Sequence, residues 1–384
     1  MIGLIVNPVS GIGGPAGLKG SDGEGIQAEA IERGSEPRAG ARAQLALREF
    51  ARGNPGATVL TVAGAMGEDA VVAAGLSAQV VYRPGSDRTT GSDTGAAAAA
   101  LAAAKASLVL FVGGDGTARD VSGALPAGVA ALGIPAGVKM YSACFAVSPV
   151  AAGAIAAQWL NSKLPLQRRE VLDVAEDEVR AGRVDPTLFG FLDIPSVPGR
   201  TQARKASSIG SESDAVVGAA RAAADQFLPG VAYLLGPGST MSAVAGALGV
   251  PKTSLGVDVV VDGVRILADA SERDLLELVS SRPARAVVTV IGGQGFLLGR
   301  GNQQLSAAVI RELGDDPLLV VATDDKLIAL GGRPLLVDTG DSALDASLAG
   351  YVRVVTGEST SSFYRVVAAD AAPELSAAST KENN

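Results

Sequence analysis

Ten consecutive residues, Leu108-Val109-Leu110-Phe111-Val112-Gly113-Gly114-Asp115-Gly116-Thr117, constrain the fold most. Five apolar residues in a row read as a strand buried on both faces, the kind found in parallel sheets covered by helices. Three glycines around one carboxylate then turn the chain into a helix candidate, Ala118–Ala124. Glycine permits positive φ and lets a ligand approach the main chain. Free amides at the start of the following helix favour phosphate. Asp115 is thereby expected at the carboxyl end of a parallel strand, where ligands of open α/β sheets bind. A plain strand–helix turn with a capping aspartate is the bland alternative; the strand–turn–helix setting favours a ligand role.

The surrounding sequence repeats this texture. Short apolar runs at Ile2–Val6, Thr58–Val62, Gln79–Tyr82 and Ala130–Ile134 alternate with helix candidates Ala39–Arg52, Asp69–Ala74 and Thr94–Ala104. That alternation predicts a Rossmann-like parallel α/β domain over residues 1–150, with Ala146–Asn161 as a helix leaving it. Strand-like segments Glu170–Glu176, Glu178–Val184 and Thr187–Ile194 follow, with a turn at Arg180–Arg183, then a polar linker Pro195–Ser213 and a helix Ser213–Phe227. Strand–turn–helix units return at Ala232–Leu235, Ala286–Ile291 and Leu318–Ala322, and Asp262-Gly263 between two valine-rich runs signals a hairpin. A mixed β/α C-terminal domain over residues 151–370 is expected, and a small polar tail at 371–384 reads as disordered. Roughly 150 residues per domain fits this division of 384 residues.

Composition decides which chemistry remains. The chain has no histidine and one cysteine, Cys144. That excludes Ser-His-Asp and Cys-His catalysis, His-ligated zinc, an intrachain disulfide and cysteine-cluster metal sites. Carboxylates, hydroxyls, Lys, Arg, backbone amides and a hard cation such as Mg²⁺ are left. Without histidine, Asp115 is the natural group to take a hydroxyl proton or help hold Mg²⁺. A net charge of −8 and few aromatics (8 Phe, 5 Tyr, 1 Trp) argue against nucleic acid as a partner. The opening Met1-Ile2-Gly3-Leu4-Ile5-Val6 has no basic flank of a signal peptide, and apolar stretches such as Gly95–Ala104 and Val150–Leu160 fall short of a membrane span. A cytoplasmic protein with no membrane partner is the expectation.

Further candidates follow the same logic. Asn7-Pro8-Val9-Ser10-Gly11 follows the first strand and opens a glycine-rich loop, Gly11–Gly25. It reads either as a donor-phosphate cradle, with Asn7, Pro8, Ser10, Lys19 and Asp22 as contacts, or as a mobile surface loop. Gly236-Pro237-Gly238-Ser239-Thr240 ends a strand and opens a helix, another anion-binding geometry. The segment Gly292–Gln304 offers Gly293, Gln294, Gly295, Asn302 and Gln303 for base or nicotinamide edges and Arg300 for phosphate. Asp258 between valines faces either a pocket or the exposed side of a hairpin. Asp93 and Thr94 read as helix capping, Cys144 as a small buried hydrophobe, and Asp324-Asp325-Lys326 as a turn between strands.

Gly-Gly-Asp-Gly-Thr after a buried strand resembles the motif of NAD kinases, diacylglycerol and sphingosine kinases and, more distantly, phosphofructokinases. Over nearly its whole length the chain resembles ATP-NAD kinase-like proteins, in the branch that includes the accessory protein of acetoin-catabolism clusters. The resemblance is carried by Ile5–Gly14, Gly17–Gly23, Gly133–Ser142, Leu235–Thr240, Leu255–Val260 and Ile291–Gln304. It implies phosphoryl transfer from ATP or polyphosphate, with Mg²⁺ bridging the donor, to the adenosine 2′-hydroxyl of NAD(H), in a cleft beside the N-terminal domain. Asp115 falls on the family's catalytic aspartate, and Gly113, Gly114, Gly116 and Thr117 on its nucleotide and phosphate contacts. Relatives also imply a homo-oligomer. Typical NAD kinases carry an Asn-Glu pair after the next strand, and lipid kinases carry Pro-x-Gly-Thr-x-Asn. This chain has Pro135-Ala136-Gly137-Val138-Lys139-Met140, which weakens the lipid-kinase reading and makes Lys139 a candidate phosphate contact. A nucleotide-binding accessory protein without turnover is the rival reading, and a kinase acting on a lipid or another small polyol is the third.

Overall fold

The computed structural model describes residues 1–18, 24–86, 88–136, 140–162, 164–174, 186–197, 201, 213–291 and 294–371. These fall into two compact units. One is formed by Met1–Gly11, Pro37–Arg204 and the chain from Asp370, the other by Ile12–Glu36 and Lys205–Ala369. The division departs from the boundary expected at residue 150, in both directions. Residues beyond 150 stay with the first unit because their partners are there: Asp193 bridges Ala130, and the Ser142 hydroxyl donates to the Leu172 carbonyl at 2.8 Å. The segment after Gly11 joins the second unit, where the Pro15 carbonyl accepts from the Glu272 N–H at 2.9 Å.

The first unit is built on strands β1 (Ile2–Val6), β2 (Thr58–Val62), β3 (Ser77–Tyr82), β4 (Leu108–Gly113) and β5 (Ala131–Pro135). They pair in the order β3-β2-β1-β4-β5, all parallel. β1 and β4 are buried along their whole length, which is why both read as unbroken apolar runs. Helices Ala39–Gly53, Glu68–Ala73, Gly91–Ala103, Asp115–Ala124 and Pro149–Asn161 belong to this unit. The first of them buries Ala39, Arg42, Ala43, Ala46, Leu47 and Phe50, one stripe at helical spacing. The helix Pro149–Asn161 comes close to it because Gly153 has no Cβ; one placed there would overlap the Ala46 carbonyl. The alanine-rich helix begins at Gly91, three residues earlier than its composition indicated. Thr90 caps it, and Asp93 closes the capping box by accepting from the Thr90 N–H at 2.9 Å. An antiparallel pair, β6 (Leu166–Asp173) and β7 (Thr187–Pro195), completes the unit. The strand expected at 178–184 lies outside the described residues.

In the second unit, strands β8 (Ala232–Leu235), β9 (Asp258–Val261), β10 (Val264–Leu267), β11 (Ala284–Val288), β12 (Phe296–Leu298), β13 (Leu318–Val321), β14 (Leu335–Val337), β15 (Gly350–Val355) and β16 (Ser361–Ala368) form a mixed sheet. Their order is β10-β9-β8-β11-β13-β15-β16-β14-β12. β8, β11, β13 and β15 run parallel, whereas β9 is antiparallel to both neighbours and β15 to β16. The Asp262-Gly263 turn joins β9 and β10 with φ of 48° and 74°, the left-handed pair that a tight hairpin requires. Asp324–Ile328 is a short helix and not the turn its sequence suggested, with Asp324 and Asp325 in the first turn, where acids favour the helix N-terminus. The tail beyond 371 lies outside the described residues. No helix among the described residues is long and apolar enough to cross a membrane.

Candidate functional site

The strand order of the first unit fixes where chemistry can gather. From β1 the chain adds β2 and β3 on one side, then β4 and β5 on the other. Between β1 and β4 the succession reverses, and the loops leaving these two strands diverge. Those connections are the Asn7–Ser10 loop and the tight strand-to-helix turn at Gly113–Thr117, two segments the sequence singled out independently. They meet directly: the Asn7 side-chain amide donates to the Thr117 hydroxyl at 3.0 Å. Asn7 Oδ1 also accepts from the Val9 N–H, and the Asn7 carbonyl from the Ser10 N–H, so this turn is held by its own asparagine.

Gly113 and Gly11 are required by space. A Cβ on Gly113 would overlap the Thr117 side chain. Gly11 has φ +82°, and a Cβ there would lie 2.6 Å from the Ala136 carbonyl oxygen. Gly114 is the extended residue before the helix Asp115–Ala124, and Gly116 lies in its first turn. Pro8 and Ser10 sit in the β1 loop, with Ser10 buried. The loop of β5 also approaches, since the Ala136 N–H donates to the Gly113 carbonyl at 3.2 Å.

Asp115 stands at the first position of its helix and is 8% exposed. Its two carboxylate oxygens accept separately, one from the Tyr141 N–H at 2.6 Å and one from the Ser142 N–H at 3.0 Å. The hydroxyl of Ser142 is buried and exchanges hydrogen bonds with the backbone of Leu172, donating at 2.8 Å and accepting at 3.0 Å. This ties the carboxylate clamp to β6. Burial pushes the Asp115 carboxyl up to about 6, against the lowering effect of the Ser142 and Tyr141 hydrogen bonds, with the Asp173 carboxylate adding to the rise. Burial also lifts the Tyr141 phenol to about 12 and the Cys144 thiol well above its ordinary value, Asp115 contributing to both. Asp173 is in turn held by Arg119 at 2.7 Å. A buried carboxyl near 6 at a strand-end turn is suited to accept a proton near neutral pH.

Candidates in the second unit divide. Gly236, Gly238, Ser239 and Thr240 form the expected strand-to-helix turn, with Gly238 at φ +111° opening the helix Ser239–Ala247. Asp258 faces neither pocket nor solvent. It is 0% exposed, accepting from the Thr253 N–H at 2.7 Å, the Thr253 hydroxyl and the Asp269 N–H at 2.8 Å. Lys252 and Arg265 lie at 3.9 and 3.5 Å. Burial raises its carboxyl, but the Asp269 and Thr253 hydrogen bonds and the Lys252 charge outweigh that and hold it below the ordinary value.

Arg300, expected to reach a phosphate, is 1% exposed; it donates to Asp338 at 2.8 Å and to the Gly299 carbonyl, and stacks over Phe296 at 4.4 Å. Asn302 shapes its own loop, accepting from the Gly299 N–H and donating to the Leu297 carbonyl. Both side chains thus have partners within the fold. Gln294 is buried beside Gly295, whose φ of +83° turns the chain into β12. Gln303 packs against Gly14. Lys19, Asp22, Lys139 and Gly293 lie outside the described residues.

The Tyr141–Ser142 clamp carried no local signal. It joins Asp115 to a loop more than two dozen residues away, and neither spacing nor periodicity encodes such a contact.

Two family models match the chain, the ATP-NAD kinase N-terminal domain over residues 2–164 and the ATP-NAD kinase C-terminal domain over residues 228–366. The curated proteins and the solved structures yield no match. The first match contains the β1 and β4 loops with Asp115, and the second most of the mixed sheet. Both halves carry the same family's domains in the same order: the chain belongs to the ATP-NAD kinase family.

Proposed function

We propose that this protein transfers a phosphoryl group from ATP or polyphosphate to the adenosine 2′-hydroxyl of NAD(H), giving NADP(H). The observation that carries the reading is Asp115: a buried carboxyl, raised to about 6, clamped by two backbone amides at the switch point of a parallel sheet. Phosphoryl transfer needs mainly positioning and charge neutralisation. Asp115 orients the acceptor hydroxyl and takes its proton as the new P–O bond forms and the bond to the donor's leaving phosphate breaks. Gly113, Gly114, Gly116 and Thr117, with Asn7, Pro8 and Ser10 of the facing loop, form the phosphate-binding turn. Lys19, Asp22 and Lys139 are assigned as further nucleotide contacts by sequence.

Among the described residues no three His, Cys, Asp or Glu side chains converge as a metal site. Mg²⁺ bound together with the donor would supply charge neutralisation at its phosphates. The loop after β5, Pro135-Ala136-Gly137-Val138-Lys139-Met140, lacks the Asn-Glu pair of typical NAD kinases, and this favours a second reading, nucleotide binding without turnover. Incubating the protein with NAD or NADH and either ATP or polyphosphate, then quantifying NADP(H), separates the two. NADP(H) that accumulates with wild-type protein and not with Asp115→Asn supports the kinase; calorimetric NAD binding without product supports the second reading.

A further inference from the structure

In the second unit β8, β11 and β13 lie side by side in parallel register, Leu235 beside Val287 and Val287 beside Leu319. Their side chains alternate between two cores. Leu235, Val287, Leu319 and Val321 face the helix Ser239–Ala247 through Met241, Val244 and Ala245, whereas Leu234, Ala286, Val288, Leu318, Val320 and Ala322 face the opposite core. Continuing the period of two puts Thr289 and Thr323, just past the ends of β11 and β13, on the helix-bearing face. Two contacts bring Thr289 and the helix that Thr323 opens to this helix N-terminus. The Thr289 methyl lies 3.8 Å from where a Cβ on Gly238 would stand. Lys326, one turn after Thr323, donates from Nζ to the Thr240 hydroxyl at 2.8 Å.

Thr323 is 1% exposed, and its hydroxyl has no hydrogen-bond partner; the buried hydroxyl of Thr289 has none either. Buried polar groups are nearly always paired, and an orphan calls for an explanation. Two orphaned hydroxyls stand beside a helix whose first amides lack carbonyl partners by geometry and receive no side-chain cap. The helix dipole is positive at that end, and Gly238 leaves the backbone open to approach. Lys326 adds a positive charge, while Asp324 and Asp325 of its helix are exposed.

We propose that the Gly236–Thr240 turn, Thr289, Thr323 and Lys326 form a binding site for a phosphate-sized oxyanion, the phosphoryl group of a small molecule. The site goes beyond the proposed kinase centre and does not depend on Asp115. The threonine hydroxyls and helix amides donate to the anion's oxygens, and Lys326 neutralises its charge.

Calorimetric titration of the full chain with inorganic phosphate, pyrophosphate, ATP and NAD tests this. Binding is expected to weaken by about tenfold in Thr323→Val and by at least as much in Lys326→Met, and to persist in Asp115→Asn. Binding of pyrophosphate alone assigns the site to free phosphates. Binding of only ATP or NAD, weakened by the same substitutions, assigns it to a nucleotide's phosphate. Absence of binding by all four probes, or undiminished binding in both variants, overturns the proposal. Thr323→Val should also keep or raise Tm, because the hydroxyl has no internal partner to lose; a lowered Tm means that the fold itself uses that hydroxyl, and overturns its assignment to the anion.

Discussion

Asp115 in the first unit and Asp258 in the second are both buried and accept backbone N–H bonds, and they are held in opposite ways. Asp258 has Lys252 and Arg265 beside it and stays below the ordinary carboxyl value. Asp115 has two amides and a neighbouring carboxylate, with no Lys or Arg paired to it among the described residues, and is raised to about 6. Both are desolvated; the Asp269 and Thr253 hydrogen bonds, with the Lys252 charge, outweigh burial at Asp258, whereas the Ser142 and Tyr141 hydrogen bonds do not outweigh it at Asp115. Paired and fully engaged, Asp258 holds the β9 hairpin to the loop at Thr253. Unpaired, Asp115 leaves its charge uncompensated, which is unfavourable for folding and useful for moving a proton.

The contrast breaks most sharply on substitution. On the proposed reaction, Asp115→Asn should lower the rate of NADP formation by about 10²–10⁴-fold while the protein stays folded, checked by product assay alongside circular dichroism. Asp258→Ala should do the reverse. It removes the carboxylate facing the buried Lys252 ammonium, which keeps its bonds to the Thr253 and Gly256 carbonyls, and denaturant unfolding should show a loss of about 3–5 kcal/mol, with phosphate-transfer activity per folded molecule retained.

Acidity sharpens the same comparison. The folded-state value of Asp115 lies above the ordinary 3.8, so its contribution to stability is complete below that value and lost as pH rises through about 6. A shift of this size corresponds to about 3 kcal/mol. Unfolding measured against pH should show the decline in the wild type and not in Asp115→Ala. Asp258, held below its ordinary value, contributes stability above that value that is lost only as pH falls further. The smallest expected effect is at Gly113: an alanine there must displace Thr117 and its bond from Asn7, costing about 1–3 kcal/mol in chemical denaturation.

How legible each feature was follows from its range along the chain. The run Leu108–Val112 and the glycines after it are local, so strand, turn and helix could be read directly, and Asp262-Gly263 announced its hairpin the same way. Asp258 was ambiguous because flanking valines give alternation without saying what lies opposite; Lys252 and Thr253 supply that only in three dimensions. Arg300 and Asn302 looked like ligand contacts because polar residues among glycines usually are exposed. Their partners, Asp338 and the carbonyl of Leu297, come from the returning chain and from the loop's own curvature. β14, β15 and β16 gave no sequence expectation, since β14 is three residues long and exposed and buried positions mix along the other two.

The most direct test of the account is the rate of NAD phosphorylation as a function of pH. If Asp115 takes the acceptor proton, kcat/KM rises with pH through a single ionisation near 6, and that step vanishes in Asp115→Asn along with most of the rate. A rate that is flat across this range, or an Asp115→Asn variant as fast as the wild type, would contradict it.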